Sequence, residues 1–123
     1  MLDLKRLLTD VFNPQKGENI ILFNDFPIDE SNIDGDFIER RNMTELWHKA
    51  FEELSREKGF SVEPIIIYSP TWGHNTPLPE TGVQSGREIN LKDKVNSLGP
   101  KDIVLAITRF SATGPICDKI KSQ

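Results

Sequence analysis

The chain has 123 residues, 37% of them hydrophobic and 28% charged, with a net charge of −4 and a single cysteine. That size and balance predict one globular domain able to bury roughly two thirds of its unfolded surface without disulfides or a structural metal. No apolar run approaches the ~20 residues that span a bilayer, and residues 1–61, with 8 basic and 13 acidic residues, carry −5 against +1 for the remainder, so neither half offers the basic footprint of a nucleic-acid binder.

The opening Met1-Leu2-Asp3-Leu4-Lys5-Arg6 lacks the apolar core and cleavage site of a secretory signal. One cysteine, Cys117, fits a reducing compartment, and the expected localisation is the cytoplasm. Leu4, Leu7, Leu8, Val11 and Phe12 then recur at helical spacing. After the turn signal Asn13-Pro14-Gln15-Lys16-Gly17 comes Ile20-Ile21-Leu22-Phe23, a continuous apolar run of the kind found in strands buried on both faces of a parallel sheet.

The clearest helix follows. Met43, Leu46, Trp47, Ala50, Phe51 and Leu54 form one apolar stripe, with Glu45–Lys49 and Glu52–Arg56 at i,i+4 spacing on the opposite face. Asp36 with Glu39 resembles a capping box, and Gly59 is placed to end the helix in a left-handed cap. Two further runs, Ile65–Tyr68 and Ile103–Ile107, read as strands, separated by a short helix over Leu91–Leu98. Gly114-Pro115 is positioned to open a last helix carrying Ile116 and Ile120. The expected fold is α/β: a small open, mostly parallel sheet of three or more strands with flanking helices, in the order α-β-α-β-loop-α-β-α. A three-stranded sheet of this kind leaves two apolar edges in need of cover.

Ligands of open parallel sheets bind outside the carboxyl ends of the strands, which here are Asp25–Asp36, Ser69–Arg87 and Arg109–Pro115. The first segment has no phosphate-cradling glycine motif. Its calcium-like spacing from Glu30 fails at the twelfth position, where Arg41 replaces the required bidentate glutamate. The second is a 19-residue stretch with three prolines and three glycines, read as a long loop. In it Trp72, His74 and Asn75 are candidates for ligand or subunit contact, against the plainer reading of a packed indole and a solvated imidazole. In the third, Arg109, Ser111 and Thr113 sit at a helix start, either as caps or as an anion seat. The contact candidates are therefore Asp25, Trp72, His74, Asn75, Arg109, Ser111 and Thr113. No catalytic residue and no metal ligand set is assigned, since two histidines and one cysteine have no metal-binding spacing. Cys117 reads as a buried, inert thiol.

Three segments together resemble a known family. Gly17-Glu18-Asn19-Ile20-Ile21-Leu22, Asp102-Ile103-Val104-Leu105-Ala106 and Arg109-Phe110-Ser111-Ala112-Thr113-Gly114-Pro115 are similar to the amino-terminal region of thermophilic metalloaminopeptidases of the leucyl aminopeptidase, or aminopeptidase T, type. The resemblance implies a non-catalytic amino-terminal domain that shapes or covers a metal-dependent peptidase site. The zinc or cobalt of that site belongs to a carboxyl-terminal half not present in these residues. It also implies partnership with that half or with a second copy in a dimer. The alternative expectation is a stand-alone module that binds a small molecule, a peptide or a protein through the loops at the carboxyl ends of the strands.

Overall fold

The computed structural model describes residues 3–27, 33–71 and 78–108. In chain order the elements are α1 (Leu4–Phe12), β1 (Asn19–Asp25), α2 (Gly35–Lys58), β2 (Ser61–Val62), β3 (Ile66–Tyr68), β4 (Thr81–Gln84), β5 (Arg87–Asn90), α3 (Leu91–Asn96) and β6 (Asp102–Ala106). The α/β class expected from the alternating pattern is the one observed.

β1 is the axis of the sheet. Ile20, Ile21, Leu22 and Phe23 are almost wholly buried because both faces of the strand are covered, as their continuous apolar run requires. Ile20 and Leu22 pack with Leu8, Ala50, Phe51 and Leu54 of α1 and α2 on one face. Ile21 and Phe23 pack with Ile66, Tyr68, Leu91, Val95 and Leu98 on the other. β6 runs parallel along one edge of β1, in register from Asn19↔Asp102 to Phe23↔Ala106. β2 and β3 share the opposite edge, both parallel to β1, through Asn19↔Ser61 and Phe23↔Ile66. Between them lies Pro64, which has no N–H to give to a ladder.

The sheet is larger than three strands, and its far side is antiparallel. β4 pairs antiparallel with β3 and β5 with β4, so the stretch read as one long loop contains a hairpin. Its two-residue turn is Ser85-Gly86, with φ of +54° and +75°, the backbone that matches the twist of paired strands. Four-residue strands with mixed polarity carry little periodic signal, and the turn pair was the available clue. Glycine is needed at position 82, where a Cβ would stand 2.9 Å from the carbonyl oxygen of Ile67 and 2.9 Å from Leu91 Cδ2. The hairpin thereby lies close against β3 and the start of α3. The exposed edge strand β5 presents Arg87, Glu88 and Asn90, side chains that discourage further pairing.

α2 differs from expectation in its start and in its buried face. Its N-cap is Asp34, whose carboxylate accepts the Phe37 N–H at 3.1 Å, in place of an Asp36–Glu39 box. With two more residues at its front the helix lays Phe37, Thr44 and Phe51, spaced by seven, against the sheet. Met43 and Leu46, at the rim of that stripe, are left exposed, Leu46 by 59%. Val11 of α1 is likewise exposed. Glu45 pairs with Arg41 and Glu52 with His48, each one turn before it, where the spacing suggested partners one turn after. Gly59 ends the helix at φ +80° with its N–H on the Ser55 carbonyl, as its position predicts. Lys5 of α1 meets Glu53 of α2 at 2.9 Å and ties the two helices together.

The amino end of the sheet is closed by Glu63, in the break between β2 and β3. Its carboxylate accepts from Asn19 Nδ2 at 2.6 Å, from Gln84 Nε2 at 3.1 Å and from the Lys94 ammonium, joining β1, the hairpin and α3. Its backbone carbonyl lies 2.8 Å from His48 Nε2 of α2. Burial alone would push this carboxyl up, but the hydrogen bonds from Lys94, Asn19 and Gln84 outweigh it and hold it below the usual value.

Candidate functional site

Parallel pairing brings the carboxyl ends of β1, β3 and β6 to one side of the sheet, at Asp25, Tyr68 and Ala106. Phe26 N–H continues the ladder by donating to the Tyr68 carbonyl at 3.0 Å, and Ile107 N–H donates to the Phe23 carbonyl at 2.9 Å. This end is unusual for its buried polar groups. Asn24 and Asp25 are each 1% exposed and Tyr68 is 3% exposed.

Asp25 and Tyr68 are register partners, so their side chains share the face of the sheet that carries α3. Asp25 is hydrogen-bonded or ion-paired within the fold. The Tyr68 ring stands edge-on to Phe23, with centroids 6.5 Å apart, and its hydroxyl has no hydrogen-bond partner. Burial first, then the Asp25 carboxylate, push the phenol well above its ordinary pKa of 10.0. The hydroxyl therefore keeps its proton and remains a donor across the physiological range.

Asn24 alternates with its neighbours and so faces the other way, toward the side that carries α2. Its amide Nδ2 donates to the Ile107 carbonyl at 2.8 Å and pins the end of β6 to β1. Its Oδ1 is buried with no hydrogen-bond partner. Leaving such an acceptor or donor unmade costs about 1–3 kcal/mol, and folds tolerate few of them. Two such atoms lie at the ends of adjacent strands, one on each face of the sheet.

An open cleft of about 470 Å³ separates the first half of α2 from the end of β6. Asp36, Glu39, Arg40, Met43 and Trp47 form its helix wall, and Leu105 to Thr108 form its strand wall. Arg40 Nη1 reaches back to the Asp36 carbonyl at a long 3.4 Å. The neighbouring Arg41 lies outside the cleft, with its guanidinium 4.8 Å from the centre of the Phe26 ring.

Of the residues that the sequence nominates, Asp25 sits as expected at the carboxyl end of the central strand. Trp72, His74, Asn75, Arg109, Ser111 and Thr113 lie outside the described residues, as do Cys117 and the expected last helix. Asn24 and Tyr68 were not nominated. The only trace of either in sequence is a polar group at the tail of a β-branched run, and turns end most strands in the same way. His48, one of the two histidines without metal-binding spacing, is held between Glu52 and the Glu63 carbonyl. Among the described residues no group of three or more His, Cys, Asp or Glu side chains is placed to hold a metal ion. Among them too, no helix is long and apolar enough to cross a membrane.

These features define a small mixed-sheet α/β domain with unsatisfied polar atoms gathered at the carboxyl end of its parallel strands. No protein-family model, curated protein or solved structure matches the chain.

Proposed function

We propose that the domain is a binding module that seats a small polar ligand across the carboxyl ends of β1, β3 and β6. The observation that carries this reading is the pair of buried, unpartnered atoms at this end, Asn24 Oδ1 on the face that carries α2 and Tyr68 Oη on the face that carries α3. A ligand that donates to the first and accepts from the second recovers free energy that the empty fold gives up. The location agrees with the general placement of ligands in open α/β sheets.

The test separates stability from binding. Tyr68→Phe removes a hydroxyl that the fold does not satisfy, so it is expected to raise stability by about 1 kcal/mol in urea titrations. The same change is expected to weaken, by about fivefold or more, ligands found by a fragment screen that shift the Asp25 and Tyr68 amides. A Tyr68→Phe protein that is less stable and binds those ligands unchanged contradicts the reading.

The resemblance to metalloaminopeptidases supports a second reading of the same end, as a wall beside a metal site built by further polypeptide. One observation favours it: among the described residues β6 pairs with β1 alone, and a strand edge of that kind is one that another part of such an assembly would cover. On this reading the isolated domain does not hydrolyse aminoacyl-nitroanilides with added zinc or cobalt. Turnover by these residues alone would overturn it.

A further inference from the structure

We draw no further inference here: the strongest candidate, the groove where α1 meets α2, lined by Leu4, Leu46 and Ala50 with Leu46 left 59% exposed, is an unpartnered apolar face, and nothing in the structure shows what covers it.

Discussion

Phe23→Ala is expected to remove most of the domain's stability, about 3–5 kcal/mol against a total of the usual order of 5–15. Phe23 is fully buried in the central strand, where it packs between Tyr68, Ile21, Ile66 and α3. Truncation forfeits the transfer free energy of the ring and leaves a void between two sheet-bound layers, which a strand paired on both edges cannot collapse to fill. It also removes the edge-on partner of the Tyr68 ring, so the carboxyl-end site loosens along with the core. Urea denaturation of the purified variant reads the loss directly. A midpoint close to that of the unaltered chain would mean that β1 is not the axis of the core.

The second large effect belongs to Glu63→Ala. One carboxylate gathers Asn19, Gln84 and Lys94 from three separate elements. Asn19 keeps a long contact to Asp102 and Gln84 keeps the Pro64 carbonyl, but the described hydrogen bond and ion pair of the Lys94 ammonium are both with Glu63. The side chains of this ion pair are 21% and 24% exposed, so water offsets part of the loss, and a cost of about 2 kcal/mol is expected. The same group sets an acid limb. Its folded-state pKa lies below the ordinary 4.5, so the folded form binds its proton less readily than the unfolded chain. Its contribution is fully present above the unfolded value and is lost as pH falls through the lowered folded value. Stability of Glu63→Gln is expected to fall less steeply than that of the parent below about pH 4.5. Parallel acid limbs in the two proteins would show that the network does not hold the carboxylate as described.

The parallel half of the fold is legible in the residues because burial on both faces leaves an unbroken apolar string. Ile20–Phe23, Ile65–Tyr68 and Ile103–Ile107 each became a strand, and all three lie parallel as the intervening helices require. The antiparallel half is not legible in that way. Thr81–Gln84 and Arg87–Asn90 are short and largely exposed, so neither alternation nor hydrophobicity marks them, and only the Ser85-Gly86 pair signals a turn. The stripe on α2 misled by one helical row, since Leu46 is as apolar as Leu54 and only tertiary packing decides which of them faces the sheet.

The site divides along the same line. Asp25 is found from chain order alone, as the acidic residue at the end of the first strand. Asn24 and Tyr68 become notable through what surrounds them, because an amide or a phenol is unremarkable until it is buried without a partner. Hydrogen-bond accounting over the folded chain exposes that property, and no local pattern encodes it.

The central claim is tested most directly by mapping where small polar fragments bind, using backbone amide shifts over the whole chain. Hits that move Asn24, Asp25, Tyr68 and Ile107 together, and that compete with one another for that end, are the expected result. Hits that collect instead at the Glu63 end, or around Leu4, Leu46 and Ala50 where α1 meets α2, with the strand ends unmoved, would contradict it.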